Sequence, residues 1–114
     1  MIVDLHCHSC YSDGELTPEA LLNLALANQV DVLALTDHDT LDGYASLQTF
    51  AQGHPIHIIP GLECSVTWQR MELHILGYQV QPDCKRLQHF LQEQFQRRWV
   101  RALTMCSALK KLGI

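Results

Sequence analysis

Three apolar stretches of this chain run straight into histidines and carboxylates. Residues 1–5 lead to His6, His8 and Asp13; residues 30–35 lead to Thr36-Asp37-His38-Asp39-Thr40; residues 57–60 lead to Gly61-Leu62-Glu63. Helical stretches separate them. A strand–helix–strand order predicts right-handed crossovers and parallel pairing, and parallel strands present their carboxyl ends along one edge. Residues far apart in sequence thus become neighbours. Side chains alternate along a strand, so His6 and His8 share a face, and a short turn through Ser12 brings Asp13 back toward them.

Local signals place the elements. Thr17 is the expected N-cap of a helix with Pro18 in its first turn, running to about Asn28. Val-Asp-Val-Leu-Ala-Leu at 30–35 has the near-continuous apolar character of a strand covered on both faces. Asp42 or Thr40 is expected to cap a second helix ending near Phe50, before a loop at Gly53 and Pro55. Residues 64–68 and 71–78 are predicted to form a hairpin across Gln69-Arg70, with His74 in its second arm. Pro82-Asp83 is expected to open a long helix whose Leu87, Phe90, Leu91, Phe95, Trp99, Leu103 and Leu109 recur at three- and four-residue steps.

The donors in this pattern are imidazole nitrogens and carboxylate oxygens, which suit zinc, manganese and similar divalent ions. His6, His8, Asp13, His38, Glu63 and His74 exceed the needs of one tetrahedral ion. A multinuclear centre is therefore expected, with Glu63 placed to bridge. Ions about 3.5–4 Å apart activate water and hold a phosphoryl oxygen together, so phosphoester hydrolysis is the natural chemistry. Asp37 and Asp39 flank His38 and are candidates to fix its tautomer or to cap the following helix. Cys7 alternates away from the two histidines and reads as core. His54, His57 and His89 have no pattern tying them to the cluster.

Other classes are less well supported. Gly14, Gly43, Gly53, Gly61 and Gly77 compose neither a P-loop nor a dinucleotide fingerprint. No second cysteine pair completes a zinc knuckle with Cys7 and Cys10. Five irregularly spaced cysteines suggest free thiols in a reducing, cytoplasmic compartment rather than a disulfide framework. A net charge of −4 gives no argument for membrane adhesion or for a duplex-DNA partner. The distribution is nevertheless uneven: every acidic residue but Glu93 precedes Lys85, and every basic residue but Arg70 lies from Lys85 onward. Arg97, Arg98 and Arg101 are candidates to meet an anionic substrate, with a solvated helix face as the alternative.

The phrases Asp4-Leu-His-Cys-His-Ser, Ser12-Asp-Gly-Glu-Leu-Thr-Pro-Glu, Thr36-Asp-His-Asp-Thr, Gly61-Leu-Glu-Cys-Ser and Leu73-His-Ile-Leu-Gly-Tyr together resemble the polymerase and histidinol phosphatase (PHP) superfamily of metal-dependent phosphoesterases. Within it they resemble the TrpH or RNase AM-like subgroup, which acts on nucleoside 3′,5′-bisphosphates and the 5′ ends of short RNAs. The resemblance implies an α/β fold, the N-terminal part of a distorted (β/α)7 TIM-like barrel, with residues 1–114 as the N-terminal portion of the PHP domain. It implies that His6, His8, Asp13, His38, Glu63 and His74 bind up to three Mn2+, Fe2+ or Zn2+ ions, Glu63 bridging, with further ligands from a later segment. Asp39 and Arg98 are the candidate catalytic residues beside water activated by the metals. The expected substrate is a nucleotide or short RNA; histidinol phosphate or another small metabolite, or a noncatalytic metal-binding role, are the alternatives.

Overall fold

The computed structural model describes all 114 residues, which form two compact units, 1–82 and 83–114. In the first unit the order is β1 (Val3–Cys7), α1 (Pro18–Ala27), β2 (Val32–Leu35), α2 (Asp42–Phe50), β3 (His57–Trp68) and β4 (Met71–Tyr78). One sheet runs β1-β2-β3-β4, the first three strands parallel and β4 antiparallel to β3. This is the expected α/β architecture, with strands and helices alternating along a partial, curled sheet.

The helices begin and stop for local reasons. Thr17 accepts a hydrogen bond from the Ala20 amide at 3.2 Å, and Pro18 occupies the first turn, where its missing N–H costs nothing. Gln29, with φ 57°, ends the helix, and the Val30 amide reaches back to the Ala25 carbonyl at 2.9 Å. Leu22 and Ala25 of α1, Leu47 of α2 with the following Ala51, Leu33 and Leu35 of β2, and Ile58 of β3 compose one core. Ala34 is buried on the other face of β2, so that strand is covered on both sides, as its apolar run implies.

Several boundaries differ from expectation. The first strand extends to Cys7, held by pairing of Cys7 with Leu35, and so carries His6 itself. β3 is one twelve-residue strand rather than a short strand followed by a separate hairpin arm. Gly61 makes this continuity possible. A Cβ there would stand 3.1 Å from Thr36 Cγ2 and 3.2 Å from the carbonyl oxygens of Leu35 and Gly77, so the bare backbone lets both neighbouring strands close in. The hairpin turns at Gln69 and Arg70, as expected, with φ of 46° and 67°; two left-handed residues supply the twist that Asn-Gly commonly provides. Leu41, not Asp42 or Thr40, stands at the α2 cap without a side-chain bond, while Thr40 Oγ1 accepts from the Asp42 amide at 3.2 Å.

The second unit contains α3 (Lys85–Lys111). It begins after Cys84 rather than at Pro82-Asp83, and Lys110 and Lys111 stand favourably in the last turn, where the helix carbonyls concentrate negative charge. Phe95, Trp99 and Leu103 are exposed.

Candidate metal centre

The sheet brings six sequence-distant side chains into one cluster. His6 lies on β1 and His8 just beyond it. The following turn is closed by Ser12 and Gly14 amides donating to the Ser9 carbonyl at 3.0 and 2.9 Å, which returns Asp13 to the histidines. His38 follows β2 and bridges Glu63 in parallel register: the Asp39 amide donates to the Glu63 carbonyl at 3.0 Å and the Glu63 amide to the Asp37 carbonyl at 3.1 Å. Asp39 adopts φ 52° there, a left-handed conformation that Asp tolerates better than most residues. His74 of β4 pairs with Ser65, two residues along β3 from Glu63, and so projects from the same face as that carboxylate.

Glu63 stands at the middle. Its buried carboxylate divides its two oxygens: Oε2 lies 3.0 Å from both His6 Nε2 and His8 Nε2 and 3.8 Å from His38 Nε2, whereas Oε1 lies 3.0 Å from His74 Nδ1. Asp13 spans the other side, with Oδ1 3.1 Å from His8 Nδ1 and Oδ2 3.4 Å from His38 Nε2. Burial works to raise the Glu63 carboxyl, but the His6 hydrogen bond and the charges of His38, His6 and His8 outweigh it and hold its pKa below the ordinary range. For Asp13 the same contest between burial and the charges of His38 and His8 also ends below the ordinary range.

These contacts resolve into three overlapping ligand groups, His6–His8–Glu63, His8–Asp13–His38 and His38–Glu63–His74, each with its ligand atoms within 4.8 Å of one another. The donor set fits divalent cations. His6 Nε2 and His8 Nε2 are 3.1 Å apart and each is 3.0 Å from Glu63 Oε2, forming a nearly equilateral triangle. Ligand atoms about 2.1 Å from a shared tetrahedral ion stand about 3.4 Å from each other, so the triangle is close to the size a cation requires. If His8 Nε2 turns its lone pair to this group, Nδ1 carries the proton and donates to Asp13. The cluster can therefore chelate one or more divalent ions.

The flanking carboxylates act differently from the sequence reading. His38 Nδ1 is buried without a hydrogen-bond partner, so neither Asp37 nor Asp39 fixes its tautomer. Asp37 instead accepts from Ser9 and Ser12, and Asp39 Oδ1 accepts the Ser65 amide at 3.0 Å. Ser9, Ser12 and Ser65 had no metal-ligand signal in the sequence; only their closeness to His8, Asp13 and Glu63 marked them. Asp4 accepts the backbone amide of His6 at 3.2 Å. His89 pairs with Glu93 at 3.9 Å within α3, and Arg98 belongs to the same helix.

Cys7 packs against the core, and its thiol donates to the Ala34 carbonyl at 3.3 Å. Burial, reinforced by the negative charges of Asp4 and Asp37, pushes this thiol up to about 12. At pH 8 only about one Cys7 in 10,000 is then a thiolate, the reactive form. Iodoacetamide labelling followed by mass spectrometry is expected to modify exposed Cys10 and Cys106 first and Cys7 last. Early labelling of Cys7 in the folded chain would contradict its placement.

Comparison with known proteins agrees with this geometry. The PHP domain profile matches residues 4–109. The 5′-3′ exoribonuclease Rnm of Escherichia coli K12 is 39% identical over 116 aligned positions, covering 100% of this chain and 40% of the relative. The 3′,5′-nucleoside bisphosphate phosphatase of Chromobacterium violaceum is 38% identical over 112 positions, covering 98% of this chain and 39% of that protein. A Chromobacterium violaceum amidohydrolase structure, solved with bound sulfate and no metal, superimposes with a TM-score of 0.90 at 38% identity, over 100% of this chain and 40% of that one. The chain thus spans about 40% of the length of these curated relatives. No helix is long and apolar enough to cross a membrane. With a matching profile over most of its length and a cluster of metal-binding donors at the strand ends, the chain belongs to the PHP superfamily of metal-dependent phosphoesterases.

Proposed function

We propose that this chain contributes the metal centre of an enzyme that hydrolyses phosphate esters of nucleotides, either a nucleoside 3′,5′-bisphosphate or the 5′ end of a short RNA. The observation that carries the reading is the division of Glu63 between ligand groups, Oε2 facing His6 and His8 and Oε1 facing His74. A buried carboxylate shared in this way suits a bridge between ions. The names of the Escherichia coli and Chromobacterium violaceum relatives support the nucleotide class. His6, His8, Asp13, His38, Glu63 and His74 are assigned as ligands of up to three ions, with Mn2+ the first choice and Fe2+ or Zn2+ the alternatives.

Divalent ions bound here would activate water and neutralise the phosphoryl oxygens under attack. The protein's part is orientation and charge. Glu63 and Asp13 keep their negative charge in the midst of histidines, and His8 Nδ1 delivers its proton toward Asp13 so that Nε2 is free to bind. Asp39 is assigned to the reaction beside His38. Arg98, with Arg97 and Arg101 of α3, is proposed to bind phosphate, because a guanidinium offers the fork of donors that a phosphate accepts.

The experiment is a phosphate-release assay with Mn2+, using a protein that matches the relatives in length and carries this segment. A nucleoside 3′,5′-bisphosphate is expected to be used well and to lose its phosphate only when metal is present. Turnover undiminished by chelator would overturn the reading. In the same assay Arg98→Ala is expected to reduce kcat/KM about tenfold or more for the bisphosphate, with little change for a simple phosphomonoester, as loss of one charge-assisted contact implies. Equal effects on both substrates would return the arginine to a solvated helix face.

A further inference from the structure

We propose that Asp37 is a positioning residue of the metal centre, acting through Ser9 and Ser12 on His8 and Asp13. The assignment rests on the metal-binding reading above. Asp37 is only 2% exposed and Ser9 is fully enclosed. Asp37 Oδ1 accepts the Ser9 amide at 2.7 Å and the Ser12 hydroxyl at 2.6 Å, while Oδ2 accepts the Ser9 hydroxyl at 2.7 Å. A buried carboxylate is costly to desolvate, and three short bonds to charge offset that cost only while the turn keeps this shape. The carboxylate thereby fastens the segment carrying His8 and Asp13 to the strand end carrying His38.

The bond to Ser12 also gives the clamp a direction. A hydroxyl has one proton, and at 2.6 Å from Asp37 that proton is committed to the carboxylate rather than to Asp13 Oδ1, 3.4 Å away. Ser12 Oγ then offers a lone pair to His8 Nδ1 at 3.4 Å, alongside Asp13 Oδ1 at 3.1 Å. Both acceptors favour a proton on Nδ1, while Glu63 Oε2, 3.0 Å from Nε2, draws it toward the other nitrogen. A cation held by Glu63 and His8 would decide for Nδ1 and leave Nε2 its lone pair, the tautomer a metal ligand needs. Ser9 Oγ, in turn, accepts the Tyr11 amide at 3.2 Å and so continues the hold along the turn.

Gly43 of α2 closes the back of this arrangement. A Cβ there would stand 2.5 Å from Asp37 Oδ2 and 2.9 Å from Ser9 Oγ. The helix can approach the clamp this closely only without a side chain.

Titration with Co2+, followed by the visible absorption of the bound ion, tests the role without depending on turnover. Ser12→Thr keeps the hydroxyl and is expected to bind with the affinity and spectrum of the unaltered chain. Ser12→Ala is expected to bind about tenfold more weakly with a shifted spectrum, and Asp37→Asn about 10–100-fold more weakly, the range seen when a partner of a metal ligand is lost. Circular dichroism melts measure how much of each variant is folded; if Asp37→Asn unfolds, the Ser12 pair decides. Normal affinity and spectrum in Ser12→Ala would overturn the positioning role, as would a lowered melting temperature with unchanged affinity of the folded fraction. Absence of Co2+ binding by the unaltered chain would overturn the metal-binding reading and the positioning role with it.

Discussion

Replacing Glu63 with glutamine is expected to remove more than one equivalent of bound metal. The substitution preserves shape but removes the charge and turns one of the two oxygens into an amide nitrogen, which cannot ligate. Since Oε2 faces His6 and His8 and Oε1 faces His74, either orientation of the amide damages one group directly, and loss of the charge weakens both. The affinity loss should exceed the roughly 10–100-fold seen for supporting partners, because Glu63 is itself a proposed ligand. Elemental analysis after dialysis against limiting Mn2+ measures it. Loss of a single equivalent would reduce Glu63 to a terminal ligand, and unchanged stoichiometry would remove it from the centre.

Gly14→Ala is expected to be similarly severe for a different reason. An added Cβ would overlap the His8 carbonyl oxygen and stand 2.5 Å from its carbon and 2.9 Å from the Ser9 nitrogen. All three atoms are backbone, so no rotamer change relieves the clash. The turn must open, and it is bounded by His8 on one side and Asp13 on the other. Overpacking commonly costs about 1–3 kcal/mol, and a backbone obstacle should place this variant at the upper end. Gly53→Ala provides the comparison: its φ of 83° disfavours a side chain, yet nothing lies within 4 Å of the added atom. Urea unfolding and Mn2+ titration should show Gly14→Ala less stable and weakly binding, with Gly53→Ala losing some stability but retaining metal. Normal metal affinity in Gly14→Ala would mean that the turn does not position Asp13 and His8.

Much of this arrangement was legible because it follows from topology. Once three strands run parallel, their carboxyl ends must lie along one edge, and His6, His8, His38 and Glu63 can be placed together without any knowledge of side-chain detail. The Thr17 cap and the turn at Gln69-Arg70 were legible because their geometry depends on adjacent residues alone. β3 was harder. Gly61 reads as a break in a single sequence, and only the close approach of β2 and β4 on either side shows that it permits a continuous strand.

The work of Asp37 was hidden for a related reason. Its position beside His38 suggested a bond to that ring, whereas the partners it finds, Ser9 and Ser12, are 28 and 25 residues away and are reached only because β1 and β2 pair in the observed register. Periodicity likewise locates the apolar stripe of α3, yet Phe95, Trp99 and Leu103 on it are exposed.

The proposed bridge is Glu63 joining separate metal ions within the cluster of six ligands. Anomalous diffraction from crystals of the chain soaked in Mn2+, recorded on either side of the manganese absorption edge, tests it most directly. The expected map has at least two peaks, one beside Glu63 Oε2 with His6 and His8 and another beside Oε1 with His74, each about 2.0–2.3 Å from its ligand atoms. A fully soaked crystal with no peak at Glu63, or with one peak touching a single oxygen, would contradict the bridge.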